Sequence, residues 1–489
     1  MKLLAGLPIV EQKGELANEV TGLTCDSREV KPGNLFVALR GAQFDGHRFL
    51  RQVHENQAAG AVVESIDPDI DLPQVRVQDT LAALPQIAAR FYHHPARQMH
   101  LTGITGSNGK TTSTYMLEQI WRAAGEDAAV IGTIENRFRD FQQEAPNTTP
   151  LPHDMHCLLR RLADMGCQRV VMEVSSHGLV LHRVDEMEFE VALFTNLSQD
   201  HLDFHQTMEA YRDAKLRLFT HYLKENGTAV LNIDDEAGRY YQRVLTNRTV
   251  LTFGFGDQAD VRAYDVTVGL QGCRFQLQLP GQNAITIETP LVGQHNIYNI
   301  LGVAAAAFAS GIAPQAIADG IHSLQAVPGR LEPVANSAQA QAVVDYSHTP
   351  DALEKCLLAL RELPHKRILT VFGCGGDRDR GKRPQMGEIA LRLSHYVYVT
   401  SDNPRTEDPM QIIADIEAGM ASGQDRYTVI ADRRAAIEAA VNDLQTGDVL
   451  LVAGKGHEDY QIIGHTKHHF DDREVLREAL AAAGKGGEA

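Results

Sequence analysis

The chain has 489 residues, 43% hydrophobic and 22% charged, which is too long for one hydrophobic core and neither collagenous nor broadly disordered. A formal net charge of −17 at pH 7 argues against a general nucleic-acid binder, which needs a basic face, but leaves room for a local site that takes a small anion. The six cysteines (Cys25, Cys157, Cys167, Cys273, Cys356 and Cys374) are scattered without a CxxC pair, so they read as packing thiols of a reduced compartment.

The first ten residues hold a short apolar stretch, but only Lys2 precedes it and Glu11 ends it, a poor signal peptide. No apolar run reaches membrane-spanning length, so a cytoplasmic chain without membrane insertion is expected. Strand-like runs then alternate with longer helical stretches almost throughout, an α/β signature. Three blocks are expected, 1–97, 98–327 and 328–489. The first closes with an Ala/Leu-rich helix before Tyr92-His93-His94-Pro95. The second opens with a strand over 99–104 and contains an alanine-rich helix over 304–309. The third carries strands over 367–372, 396–399 and 449–452 and ends in a glycine-rich tail, 484–487, expected to be mobile.

The strongest motif is Gly103-Ile104-Thr105-Gly106-Ser107-Asn108-Gly109-Lys110-Thr111-Thr112, between that strand and a helix over 113–123. Glycines let successive backbone N–H groups face inward, and a helix N-terminus favours an anion, so this is a phosphate cradle. Lys110 would reach the terminal phosphates and Thr111 would offer a hydroxyl to Mg²⁺. The spacing departs from GxxxxGK[ST], because position 104 is Ile. Glu173 interrupts a buried strand pattern over 169–174, and a carboxylate at a parallel strand's end lies at the ligand-binding edge of the sheet. A third strand, 191–194, leads into Thr195-Asn196-Leu197-Ser198-Gln199-Asp200-His201, which makes His201 a candidate metal or phosphate contact.

Together these segments resemble the Mur ligase family, the ATP-dependent amino-acid ligases of peptidoglycan assembly. The loop is close to the family's TGTNGKTT, and His295 to Asn299, Pro328-Gly329-Arg330 and Asp345-Tyr346-Ser347-His348-Thr349-Pro350 also look like family segments. The resemblance implies three α/β domains: a uridine-nucleotide domain, a central P-loop-type ATP-binding domain with a mostly parallel sheet, and a Rossmann-like C-terminal domain. It implies an ATP site of Gly106, Ser107, Asn108, Gly109, Lys110, Thr111, Thr112, Asn299, Arg330 and Asp345. It implies two Mg²⁺ held through Thr111, Glu173, His201 and Lys215, with Lys110, His201 and Lys215 catalytic. Lys215, in a helical stretch, matches the family's carbamylated lysine; CO₂ adds to a neutral amine, and burial makes that form accessible.

Other segments of the resemblance concern substrate choice. Cys25, Ser27, Ala42, Gln43, Phe44, Asn147, Thr148, Thr149, Ser175 and Arg183 would hold a uridine-linked muramoyl-alanyl-glutamate, although Leu181 stands where glutamine is expected. Asp402-Asn403-Pro404-Arg405 resembles the DNPR segment of the diaminopimelate-adding members, with Arg378, Gly454 and Glu458 as further contacts. Meso-diaminopimelate differs from lysine by a second carboxylate, which an arginine fork grips with two charge-assisted hydrogen bonds. A buried arginine left unpaired costs about 3–5 kcal/mol, enough to reject lysine. The expected reaction passes through an acyl phosphate, with His201, Asp345 and His348 open as the base. The expected partners are small-molecule substrates only, on a monomer. Rival readings are a lysine-adding member, a folylpolyglutamate synthetase, which should lack the block around Ser27, and a P-loop protein without ligase turnover.

Overall fold

Residues 34–38 read Asn-Leu-Phe-Val-Ala, and the two faces of that strand enter two different cores. Leu35 and Val37 pack with Val62, Val75 and Val77 against Leu84, Ile87 and Ala88 of the helix Thr80–Phe91. Phe36 and Ala38 pack with Ala61 and Val63 against Leu50 and Val53 of the helix Leu50–Glu55. A strand buried on both faces needs a continuous apolar run rather than alternation. A computed structural model describes residues 2–16, 19–41, 45–269, 272–423 and 425–487. The sheet runs Ile9–Lys13, Gln74–Val77, Gly60–Val63, Asn34–Val37, Gly22–Thr24, with only the first pairing antiparallel.

By internal packing the chain forms two units, one of residues 1–105, 127–192 and 214–227, the other of 106–126, 193–213 and 228–489. Besides the N-terminal sheet, the first unit contains parallel strands His100–Thr105, Arg169–Glu173 and Ala128–Ile131, continued by an antiparallel meander, Glu135–Phe138 and Phe141–Glu144. The helix Pro152–Asp164 turns Met155, Leu159 and Leu162 inward.

In the second unit the helix Lys110–Ala123 packs on Gln294–Ala309 and Pro314–Ser323. The approach to Pro314–Ser323 requires Gly320, where a Cβ would stand 2.3 Å from Ile120 Cα. The expected helix over 304–309 is the last part of a 16-residue helix. The expected strands over 367–372, 396–399 and 449–452 appear as Ile368–Phe372, Tyr396–Val399 and Val449–Ala453. They belong to a six-stranded sheet ordered Glu332–Pro333, Gln341–Asp345, Val449–Ala453, Ile368–Phe372, Tyr396–Val399, Tyr427–Val429, parallel except at its first pairing. Its two faces feed two cores: Leu451 and Phe372 enter one, Leu450 and Val371 the other. Helices on both faces make this part doubly wound, with ligands expected outside the strands' carboxyl ends.

The tail departs from expectation. The Lys485 ammonium donates to the carbonyls of Val441, Asn442 and Leu444, and its own carbonyl accepts from Ser337 N. A lysine that caps the last carbonyls of the helix Arg433–Asp443 pins the segment despite its glycines. Among the described residues no helix is long and apolar enough to cross a membrane.

Candidate functional site

The phosphate loop is shaped by two glycines at which any other residue would be strained. Gly106 has φ +148° and a Cβ there would meet Thr195 Oγ1 at 1.9 Å; Gly109 has φ +86° and a Cβ would meet Asn299 Oδ1 at 2.2 Å. The segment after Phe194 holds the loop in place. Asn196 Oδ1 accepts from Asn108 N at 3.0 Å, Asn196 O accepts from Ser107 N at 2.8 Å, and Thr195 Oγ1 donates to Asn108 O at 2.6 Å. Ser107 Oγ donates to Ser198 O at 3.0 Å. The Lys110 ammonium donates to the carbonyls of Gly106 and Ser107 at 2.8 and 2.9 Å, across the mouth of the loop. The helix begins at Lys110, so the N–H groups of its first turn open toward the loop.

Of three expected nucleotide contacts from later in the chain, two reach this loop and the third stands behind one of them. Asn299 abuts Gly109, and Arg330 Nη2 donates to Thr111 Oγ1 at 3.2 Å. Asp345 is buried and its Oδ2 accepts from Leu331 N at 2.7 Å, which fixes the backbone beside Arg330. Burial pushes the Asp345 carboxyl up, against the pull of Arg330. The Arg330 guanidinium lies 4.7 Å from the Tyr346 ring centroid, and that ring also packs on His348 and His457 at 4.6 and 4.8 Å. His348 Nδ1 bonds Tyr346 O at 2.8 Å, so Nδ1 carries the proton and Nε2 is left as an acceptor. Burial, with Lys382 nearby, pushes His348 down to about 4, so the ring is neutral at pH 7. Asp200 is buried, yet His201, His348 and Lys382 hold it below the usual carboxylate range. His201 itself sits in the left-handed region at φ +54°, Nε2 3.3 Å from Asp200 Oδ2.

The expected amino-acid residues all lie past the carboxyl ends of three adjacent strands of the six-stranded sheet. Arg378 follows Ile368–Phe372, Asp402 to Arg405 follow Tyr396–Val399, and Gly454 and Glu458 follow Val449–Ala453. Arg405, at φ +51°, donates from Nη1 to Gly376 O at 2.8 Å. Burial, and Arg378 beside it, lower its proton affinity against the pull of the Asp402 and Glu458 carboxylates. Glu458 accepts from Tyr346 Oη at 3.3 Å and from Asn403 Nδ2 at 3.0 Å. Burial, and the Asp402 carboxylate it faces, push Glu458 up, so it would gain from a nearby ammonium. Gly454, at φ +123°, would carry a Cβ 3.3 Å from Asp402 Oδ2.

Sequence reasoning missed the residues that hold these loops. Arg383 is fully buried and bonds Glu407 and Asp415, tying the Arg378 loop to the Arg405 loop. Arg433, paired with Asp472 at 2.6 Å where both side chains are fully buried, donates to Ala453 O at 2.9 Å behind Gly454. Lys455 is fully buried against Asp402 and Asn403. Such pairings join distant residues and leave no local spacing signal.

The first unit gathers another expected set. Thr149 is fully buried and donates from Oγ1 to Glu173 O at 3.0 Å, with Ser175 Oγ 3.1 Å from the same hydroxyl. Thr149 O accepts from Arg183 Nη1 at 2.8 Å, while Arg183 Nε is buried without a partner among the described residues. Thr148 Oγ1 meets Thr133 Oγ1 at 3.0 Å, and Asn147 lies half-buried next to it in the chain. Glu173 is 1% exposed, and its carboxylate accepts from Thr133 N and Oγ1. Lys215 is buried on the helix Met208–Thr220. Ser27 is buried, and Cys25 Sγ lies 3.9 Å from His153 Nδ1. Ala42, Gln43 and Phe44 fall outside the described residues. Thr111 and His201 belong to the second unit and Glu173 and Lys215 to the first. Among the described residues no three His, Cys, Asp or Glu side chains form a set that could hold a metal by themselves.

A glycine-rich anion cradle, fed by an arginine and a buried aspartate, beside a second strand-end cluster rich in arginine and acid, defines an ATP-dependent ligase architecture. Family models match along the chain: "Mur ligase family, catalytic domain" at residues 19–92, "Mur ligase middle domain" at 104–307, and "Mur ligase, glutamate ligase domain" at 329–456. The chain belongs to the Mur ligase family. It is 46% identical to a UDP-N-acetylmuramoyl-L-alanyl-D-glutamate--2,6-diaminopimelate ligase of Geobacter metallireducens, over 97% of this chain and 98% of that one. A protein of the same name from Gloeobacter violaceus is also 46% identical, over 95% and 94%. Among solved structures, one named as that ligase superposes with TM-score 0.65 at 34% identity, covering 95% of both chains. At 20% identity, a MurF ligase of Thermotoga maritima in complex with ADP shares the fold, with TM-score 0.68 over 94% of this chain and 97% of that one.

Proposed function

We propose that this protein is the ligase that joins meso-diaminopimelate to the D-glutamyl side chain of UDP-N-acetylmuramoyl-L-alanyl-D-glutamate at the expense of ATP. The observation that carries this beyond the family is Arg405: a half-buried guanidinium with Arg378 alongside and a Glu458 carboxylate in the same strand-end cluster. Diaminopimelate offers two carboxylates and an ammonium to that set, whereas lysine leaves one arginine without an anion.

In this reading residues 1–97 take the uridine nucleotide, 98–327 take ATP and 328–489 take the amino acid. Lys110 and the N–H groups of the phosphate loop take the β- and γ-phosphates, and Asn299, Arg330 and Asp345 the remainder of the nucleotide. Thr149, Ser175 and Arg183 receive the dipeptide, and the unpartnered Nε of Arg183 is the donor left for its carboxylate. The γ-phosphoryl group passes to the D-glutamyl side-chain carboxylate: the bond to the β-phosphate oxygen breaks and ADP leaves. The amine of diaminopimelate then attacks the acyl carbon. The carbon–oxygen bond to phosphate breaks, phosphate leaves with the electron pair, and the amine gives up a proton, for which His201, Asp345 and His348 are the candidate acceptors. Lys110 neutralises charge as the phosphoryl group moves, and Glu458 holds the ammonium that does not react.

The donor chemistry suits magnesium. Thr111 and Glu173 supply hard oxygen atoms, and Mg²⁺ commonly takes one or two carboxylates together with phosphate oxygens. Thr111 and His201 of the second unit, and Glu173 and a carbamate on Lys215 of the first, are the candidate ligands for two Mg²⁺, which would supply neutralisation of the phosphate charge. The carbamate would form by addition of the Lys215 amine to CO₂ with loss of a proton.

The test is product identity. Incubation with ATP, Mg²⁺, the uridine-linked dipeptide and meso-diaminopimelate should give a species heavier by diaminopimelate less one water, with ADP in equal amount. ADP formation without that mass gain contradicts the proposal.

A further inference from the structure

Lys455 carries no assigned part in the reaction, yet it stands against two residues of the amino-acid cluster, Asp402 and Asn403. Its side chain is fully buried, where an ammonium is costly unless paired. Its Nζ donates to Asn403 Oδ1 at 3.0 Å and to Tyr460 O at 2.6 Å, and lies 3.2 Å from Asp402 Oδ1. Asn403 passes this constraint on. Its Oδ1 also accepts from Ile462 N at 2.9 Å, so the amide cannot flip, and its Nδ2 is thereby aimed at Glu458 Oε2 at 3.0 Å. One ammonium thus fixes both acids of the cluster, Asp402 directly and Glu458 through Asn403.

The same pairing decides which charges remain available. Asp402 and Arg405 stand in one turn, and Arg433, the other cation behind Asp402, is already committed to Asp472 in a fully buried bidentate pair. With Lys455 in place Asp402 is neutralised from behind, and among the described residues the Arg405 guanidinium hydrogen-bonds a backbone carbonyl, Gly376 O, and no acid. Without that ammonium the buried Asp402 carboxylate needs another cation, and Arg405, three residues along the same turn and already under the pull of Asp402, forms no ion pair with an acid among the described residues. The fork that would take a second substrate carboxylate would then be occupied, and a buried anion would stand beside the place for that group. Both effects disfavour an amino acid with two carboxylates more than one with a single carboxylate.

We propose that Lys455 is a positioning residue for amino-acid specificity: as the internal counter-ion of Asp402 it keeps Arg405 free for the second carboxylate of the substrate. The inference rests on the proposed reaction and deepens it. It assigns specificity to a residue that does not touch the substrate.

The experiment compares meso-diaminopimelate with L-lysine as competing acceptors on wild type, Lys455→Gln and Lys455→Arg. The readout is the ratio of kcat/KM values for the two amino acids. Because both are measured on one preparation, that ratio does not depend on how much of a variant is folded. Lys455→Gln should lower the preference for diaminopimelate by about 30-fold or more, the range over which polar complementarity discriminates. Lys455→Arg, which keeps the charge, should stay within about 3-fold of wild type. A preference unchanged within about 3-fold in Lys455→Gln overturns the inference, and so does an equal loss in both variants, since charge would not then be the cause. If Lys455→Gln proves too unstable to assay, the Lys455→Arg ratio alone decides, a fall beyond about 10-fold overturning the inference. Wild type that fails to use diaminopimelate would instead overturn the proposed reaction, which distinguishes the two failures.

Discussion

Arg405 donates from Nη1 to the carbonyl of Gly376 at 2.8 Å, so the turn after one strand is held to the loop after its neighbour, and Arg378 of that loop is brought alongside. A guanidinium has five N–H donors, and a single carbonyl leaves most of the fork for a carboxylate. Arg405→Ala should therefore lower kcat/KM for diaminopimelate by about 30-fold or more, the range for removing one partner of a buried charge pair. Binding of ADP, read by calorimetry, should change by less than about 3-fold. Equal losses in both would show that Arg405 supports the fold of the second unit and not the amino acid.

Asn108, inside the phosphate loop, donates from Nδ2 to Asp351 Oδ2 at 2.7 Å, in the first turn of the helix Pro350–Arg361. The loop that would hold the γ-phosphate is thus linked to the part of the chain that carries the amino-acid cluster. A hydrogen bond to a charged group is worth about 1.5–3 kcal/mol. Asp351→Ala should lower kcat by about 10-fold or more while the KM for diaminopimelate stays within about 3-fold. Unchanged turnover would mean that the bond is incidental.

Acid stability offers a test away from the substrates. Arg383 holds the Glu407 carboxyl down to about 2, by hydrogen bonding and then by charge. An unfolded glutamate titrates near about 4.3. A carboxyl depressed in the native state stabilises it fully above the unfolded value, and that contribution is lost as pH falls from about 4.3 toward about 2. Wild type should therefore exceed Glu407→Gln in urea midpoint by a wide and constant margin above about pH 5, and the margin should shrink steadily below about pH 4. A margin independent of pH would contradict the assignment to this pair.

The parts legible in the sequence are those where function is written locally. The loop from Gly103 to Thr112 announced itself because its glycines, lysine and threonines must be consecutive, and the structure places it between a strand and a helix as that chemistry requires. Glu173 was legible as a charge in an apolar strand, and it closes the strand Arg169–Glu173. The DNPR segment alone reads as a turn, and only its resemblance gave Arg405 a task. What could not be read was the support behind these residues. Arg383 meets Glu407 and Asp415, Arg433 meets Asp472, and Lys455 meets Asp402 across 24 to 53 residues of chain. No periodicity encodes such pairs, because each depends on how the sheet orders its strands. The tail is hard to read for a related reason: its glycines suggest mobility, but Lys485 finds two helix carbonyls, of Val441 and Asn442, and that of the capping residue Leu444.

The most direct test of the central claim is phosphate release with purified protein, ATP, Mg²⁺ and the uridine-linked muramoyl-alanyl-glutamate, with meso-diaminopimelate or L-lysine added in parallel. Release that depends on diaminopimelate, with little from lysine at equal concentration, is the predicted result. Equal or faster release with lysine would contradict the role given to Arg405, and release with neither would contradict the proposed reaction.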